Sequence, residues 1–233
     1  MSIDTTAIFG KLEYFLNQFF NLSDKELSQL KEKLIFRQFP KKHTLIREGE
    51  TEGCLYFIGE GLIHQYFYKG KEVVTTDLVC EGTITGAVAS FLSGQPSHYF
   101  LETMEPTSVL CISRKDLDGL YASDIKWQRF GRILITHFFL QQEMHILDNI
   151  RYSIRERFVH FAEAFPALLK RVPQRRLASY LNIKPETFTR LKPLIAHRKK
   201  NGTENGNHPK NNKVTTSKKT SDRKRNGPAS KTY

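Results

Sequence analysis

The stretch Arg171-Val-Pro-Gln-Arg-Arg-Leu-Ala-Ser-Tyr-Leu-Asn-Ile-Lys-Pro-Glu-Thr-Phe-Thr-Arg-Leu191 has the spacing of two short helices joined by a tight turn. Leu177, Ala178 and Leu181 fall on one face of the first helix, and Phe188 and Leu191 supply the matching face of the second. Ala178 is small enough for the helices to cross closely. Asn182 stands at the turn, where a positive φ is needed and Asn tolerates it best after Gly. Ile183 plugs the gap between the helices, and Pro185 opens the second helix at the position where a missing N–H costs nothing. A helical hairpin inside a core would account for these apolar positions. It leaves unexplained the outward set Lys184, Glu186, Thr187, Thr189 and Arg190, whose donors and acceptors suit base edges and phosphates. The pattern predicts a helix-turn-helix that binds double-stranded DNA.

The charge distribution fits that expectation in a particular way. The 233 residues carry a formal net charge of +12, but 12 of the 36 Lys and Arg, and only 2 of the 24 acids, lie between Lys192 and Tyr233. The remainder is nearly neutral, so attraction to phosphate is expected from the C-terminal stretch and from Lys170, Arg171, Arg175, Arg176 and Arg190. Residues 199–233 are rich in Asn, Lys, Thr, Ser and Gly with almost no apolar side chains, and are expected to be a disordered basic tail. No run of 18 apolar residues predicts a membrane span, and Met1-Ser-Ile-Asp-Thr-Thr6 lacks the features of a signal peptide, so a cytoplasmic protein is expected.

Upstream, Leu12, Phe15, Leu16, Phe19 and Phe20, then Leu27, Leu30 and Leu34, recur at helical spacing, and Ser23 with Glu26 reads as a capping box. From Ile35 to about Ser113 the chain turns to β-branched and aromatic runs cut by glycines: Leu55–Ile58, Leu62–Tyr68, Val73–Thr76 and Val109–Ile112, with Lys69-Gly-Lys71 as a hairpin turn. Many short strands at this spacing predict a barrel or roll. Helical periodicity returns at Lys115–Tyr121, over Asp124–Arg151 and over Ile154–Leu169. The long middle helix has one stripe of Trp127, Phe130, Leu134 and Phe138 and another of Ile133, Leu140 and Leu147; one stripe suits the roll and the other a second subunit. The fold class is α+β, divided into a roll domain at 1–123, a dimerisation helix at 124–151, a helix-turn-helix domain at 152–198 and the tail.

This order of parts resembles the cyclic-AMP receptor protein/Fnr family of bacterial transcription regulators over roughly residues 8–196. The marks are Leu45-Ile-Arg-Glu-Gly49, Leu55-Tyr-Phe-Ile58 and Gly61 in the roll, and Val172-Pro-Gln174, Leu177-Ala-Ser-Tyr-Leu181 and Pro185-Glu-Thr-Phe-Thr-Arg190 in the C-terminal part. The resemblance implies a homodimer that works with RNA polymerase. It also implies that Glu186 and Arg190 read bases, with Gln174, Thr187 and Thr189 as phosphate or flanking contacts. The family's phosphate cassette, which implies a Gly-Glu pair and a downstream Arg-Ser or Arg-Thr pair, maps onto Gly86–His98. Here Ala87 follows Gly86 in place of Glu, and Ser97 and His98 replace the second pair. Without the guanidinium a buried phosphate lacks a strong partner, so the effector is unknown and is not expected to be cyclic AMP.

Other chemistries find little support. Cys54, Cys80 and Cys111 form no close sequence pair and read as buried core thiols, and His64, His137, His145 and His160 have no spaced partners, so no metal and no cofactor are expected. No nucleophile and base, paired acids or phosphate loop points to an enzyme. The alternative to a DNA-binding regulator is a ligand-binding module that controls a protein partner, which would leave the outward face of the second helix unused.

Overall fold

The computed structural model describes residues 5–194, so the basic tail at 199–233 lies outside the described residues. Helices α1 (Thr5–Asn17) and α2 (Asp24–Lys33) precede the strands, and Ser23 and Glu26 form the expected capping box, with the Ser23 N–H donating to Glu26 Oε2 at 2.8 Å. Eight strands follow: β1 (Ile35–Phe39), β2 (Thr44–Ile46), β3 (Cys54–Glu60), β4 (Leu62–Lys69), β5 (Glu72–Cys80), β6 (Ile84–Thr85), β7 (Phe100–Thr103) and β8 (Thr107–Ser113). They form two four-stranded antiparallel sheets, in the orders β1-β8-β3-β6 and β2-β7-β4-β5. The short helix α3 (Val88–Ser93) interrupts them.

The near-continuous apolar runs of β3 and β8 follow from burial on both faces. Tyr56, Ile58, Val109 and Cys111 point into the roll, where they meet Ile46, Ile63 and Leu101 of the other sheet. Their alternating neighbours Leu55, Phe57, Leu110 and Ile112 point outward, against Ile8, Leu12 and Phe15 of α1 and against helices α4 (Arg114–Ser123) and α5 (Ile125–Arg151). Strand side chains alternate faces, so a strand covered on both sides must be apolar throughout. Gly61, at φ +106°, links β3 to β4 where a Cβ would lie 2.7 Å from Thr107 Cα and 2.8 Å from Pro106 O. No other residue fits there.

The two stripes of α5 separate as expected. Trp127, Phe130 and Leu134 are buried against the roll, with Phe138 packed alongside, whereas Leu140 and Leu147 are exposed and Ile133 half-buried. The helix expected over Ile154–Leu169 is instead two, α6 (Ile154–Ala164) and α7 (Leu168–Arg171), broken at Phe165-Pro166. The ring of Pro166 disfavours the helical region for Phe165 and removes a backbone donor. Helices α8 (Gln174–Tyr180) and α9 (Pro185–Leu191) complete the described chain.

The C-terminal helices share a core with the roll. Phe158, Phe161, Leu168, Val172, Leu177, Leu181 and Phe188 pack together with Leu62 and Leu78 of β4 and β5. Strand β5 is an edge of its sheet, and α8 covers it: the Thr75 N–H donates to Ser179 Oγ at 2.9 Å. The Arg171 guanidinium forks onto both oxygens of Glu81, at 2.9 and 2.7 Å, onto Glu105, and onto the Gly61 carbonyl at 3.1 Å. Arg171 is therefore committed to the roll, and the expectation that it attracts phosphate is corrected.

Burial would raise the Glu81 carboxyl, but Arg171 and the N–H groups of Glu81 and Gly61 outweigh it and hold it below the usual range. A depressed carboxylate adds stability above its unfolded pKa, about 4.3, and loses it as pH falls through the lower folded value. The side chains are 26%, 34% and 29% exposed for Arg171, Glu81 and Glu105, between a surface and a buried pair. Arg171→Ala is expected to cost about 1–2 kcal/mol at pH 7 and less below pH 4, as read by urea denaturation at both pH values.

Candidate nucleic-acid interface and roll pocket

The helix pair assembles from local chemistry. Asn182 has φ +53°, the left-handed conformation the turn requires, and the Ile183 N–H closes it on Ala178 O at 2.9 Å. Ala178 and Phe188 are fully buried where the helices cross, and Ile183 packs beside them. Lys184 caps α9 without a side-chain acceptor, and Pro185 follows at the first helical position. These contacts leave a polar outer face. Lys184, Glu186, Thr189 and Arg190 are exposed and Thr187 is half-buried. Glu186 and Arg190 lie four residues apart on one face of α9, and neither joins an ion pair among the described residues.

Gln174 and Thr189 are brought together in a way spacing did not reveal. The Gln174 amide donates to Thr189 Oγ1 and, at 3.3 Å, to Pro185 O, while Thr189 Oγ1 donates to the same carbonyl at 3.0 Å. The start of α8 is thus tied to the first turns of α9. Arg175 and Lys170 are exposed and Arg176 is half-buried. Arg176 lies near His64, which burial, aided by that charge, pushes down to about 3. His64 is neutral and bonded to Thr75 Oγ1 at 2.9 Å beneath the C-terminal helices.

The roll pocket has a different logic from its sequence expectation. Ala87 is fully buried, and its N–H donates at 3.2 Å to Oε2 of Glu52, which is itself only 4% exposed. Oε1 of Glu52 accepts from the Cys54 N–H at 3.1 Å and the Tyr56 hydroxyl at 3.3 Å. Burial pushes the Glu52 carboxyl up despite these donors. The Glu52 carboxyl therefore takes the Ala87 N–H, the donor that follows Gly86. Ser97 is buried but turned onto its own backbone, donating to Tyr99 O at 2.8 Å and accepting from Tyr99 N–H at 3.2 Å. His98 is exposed and takes no part in this network. Glu52 lies in the Gly49–Gly53 turn, where nothing in the pattern marks a buried carboxylate.

Away from the roll, a cleft of about 170 Å³ opens between the polar side of α5, α6 and α8, lined by His145, Asp148, Tyr152, Arg157, His160 and Tyr180. Arg157 Nε is buried there without a hydrogen-bond partner. Among the described residues no group of three or more His, Cys, Asp or Glu stands together, and no helix is long and apolar enough to cross a membrane.

The family of cyclic nucleotide-binding domains matches residues 36–124, which are the roll. The chain has the fold of an antiparallel roll of this type followed by helices, as in two bacterial proteins of the architecture expected from the sequence. FixK2 from Bradyrhizobium japonicum has a TM-score of 0.61 at 17% identity, over 71% of this chain and 86% of that one. CLP from Xanthomonas campestris, a c-di-GMP responsive global regulator, has a TM-score of 0.54 at 16% identity, over 73% and 91%. A cyclic nucleotide-binding domain from Methylobacillus flagellatus gives 0.55 at 22% identity, over 61% and 82%. No curated protein sequence matches the chain.

Removing the Glu52 carboxylate strands two backbone donors and a tyrosine hydroxyl in the roll interior. Glu52→Ala is expected to destabilise the fold by about 2–3 kcal/mol, measured by urea denaturation at pH 7.

Proposed function

We propose that this chain is a homodimeric, sequence-specific DNA-binding transcription regulator of the cyclic-AMP receptor protein/Fnr type, acting in the cytoplasm with RNA polymerase as a partner. The observation that carries the reading is the outer face of α9, where Glu186 and Arg190 stand exposed and, among the described residues, without ion-pair partners, on a helix whose other face packs against α8. The Arg190 guanidinium can bond a guanine bidentately, and Glu186 can accept from a cytosine amino group while orienting the arginine. Lys184 and Arg175 supply phosphate contacts at the rim, and Thr187 and Thr189 flank the base-reading pair. Gln174 acts by holding α9 in register with α8.

Dimerisation is supported by the C-terminal half of α5. Phe139, Met144, Ile146 and Ile150 are 65%, 53%, 59% and 78% exposed, and with Leu140 and Leu147 they form an apolar face opposite the polar one that lines the cleft. An unpartnered face of this extent on a long helix suits the same helix of a second copy. Sequence-specific regulators of this kind read palindromes, so two α9 helices would meet two half-sites. We read the effector as other than cyclic AMP, because the Ala87 N–H is already taken by Glu52 and Ser97, bonded to the Tyr99 backbone, supplies no guanidinium; the c-di-GMP response of CLP indicates that this fold serves other signals.

Selection of bound genomic fragments is expected to yield a palindrome. Arg190→Ala is then expected to cost about 1–3 kcal/mol on that duplex and to relax one symmetric pair of positions, with little change on a scrambled duplex. Equal losses on both duplexes would remove Arg190 from the base-reading role. An intact dimer with no duplex preference at all would redirect the reading to a module acting on a protein partner. Sedimentation at micromolar concentration is expected to show a dimer that Leu147→Glu with Ile150→Glu converts to monomer, since both side chains lie outside the roll core. Calorimetry is expected to show no micromolar binding of cyclic AMP.

A further inference from the structure

Two cysteines far apart in sequence meet inside the roll. In the β3–β8 register Tyr56 lies opposite Cys111 and Cys54 opposite Ser113, so Cys54 and Cys111 are diagonal neighbours on the interior face. Each thiol is the largest influence on the acidity of the other. The Cys111 thiol donates to Ile35 O at 3.3 Å, and the positive charge of the exposed Arg37 side chain on β1 acts on its sulfur. Cys80 lies in the other sheet, half-buried against the C-terminal helices. The expectation of isolated core thiols is thus corrected: Cys111 alone is fully buried, Cys54 and Cys80 are half-buried, and two of the three are paired.

We propose that Cys54 and Cys111 form a reversible dithiol switch, oxidised by a hydroperoxide to an intramolecular disulfide. In the first step the Cys111 sulfur, as thiolate, attacks one peroxide oxygen; the O–O bond breaks, the departing alkoxide or hydroxide takes a proton to leave as alcohol or water, and Cys111 becomes a sulfenic acid. In the second the Cys54 sulfur attacks the Cys111 sulfur. The S–S bond forms, the S–O bond breaks, and hydroxide leaves with the Cys54 proton as water. The two thiols lose two hydrogens and the peroxide is reduced to one alcohol (or water) and one water.

The surroundings favour this order. Cys54 and the Arg37 guanidinium both favour a Cys111 thiolate and, against burial, hold that thiol below the usual range. Access comes from the edge. Strand β1 pairs only with β8, and lifting its first residues uncovers Cys111. Closure comes from the other side. Diagonal strand neighbours lie about 7–8 Å apart at Cα, slightly beyond the span of a disulfide, so one strand must move inward. Cys54 is the first residue of β3, so closure moves the end of that strand and draws its N–H away from Glu52 Oε1.

The test treats the reduced full-length protein with hydrogen peroxide, alkylates the remaining thiols and maps peptides by mass spectrometry without reduction. Two of the three thiols are expected to be lost as a Cys54–Cys111 linked peptide, with Cys80 still alkylated and dithiothreitol restoring all three. Cys54→Ser is expected to abolish the link and leave Cys111 as an oxygen acid, and Cys111→Ala to leave Cys54 reduced. Arg37→Met, at an exposed side chain that the fold does not need, is expected to slow the loss. Circular dichroism verifies that each variant is folded. Three alkylated thiols after excess peroxide, or a link that joins two chains or involves Cys80, would overturn the proposal. Because the readout is chemical, it stands or falls independently of DNA binding.

Discussion

Strands β3 and β8 are covered on both faces, and the remaining parts take their positions from that constraint. The inward side chains Tyr56, Ile58, Val109 and Cys111 close the roll, while Leu55, Phe57, Leu110 and Ile112 require an outer layer. Helices α1, α4 and the first half of α5 provide it, so Trp127, Phe130 and Leu134 fix the long helix by its N-terminal half. The other half has an exposed apolar face on one side, lines a cleft with α6 and α8 on the other, and leads into the C-terminal helices.

The C-terminal helices are not held by α5 alone. Leu62 and Leu78 extend the roll into their core, and Arg171 joins Glu81 and Glu105 across the same boundary. Apolar contact gives this docking its strength without direction, and the forked guanidinium gives it register. The inner side of α9 is taken by α8 and by α6, with Phe158 against Phe188 edge-to-face at 5.2 Å.

How much of this was legible depended on the range of the interactions. The turn at Asn182, the cap at Ser23, the hairpin at Gly70 and the two stripes of α5 are set by residues within a few positions of each other, and their chemistry is visible in the string. The break at Pro166 was equally local; the apolar periodicity running through it concealed it. Glu52, Arg171 and Ser179 were not legible, because each is defined by partners 30 to more than 100 residues away: Ala87, Glu81 with Glu105, and Thr75. A carboxylate in a glycine-bounded turn and an arginine in a basic stretch look solvated until the fold brings their partners to them. The Cys54 and Cys111 pair was hidden in the same way, since only the β3–β8 register aligns them.

The cover that α8 lays over β5 has a consequence for dissecting the molecule. A roll cut away before α6 would lose Ser179 from the Thr75 amide and would bare Leu62 and Leu78 beside an unpaired sheet edge. Open edges flanked by apolar side chains recruit strands from other copies. The isolated roll would therefore tend to stick to itself, and its solubility would report on the missing helices more than on its own fold. In this chain that edge is met by α8.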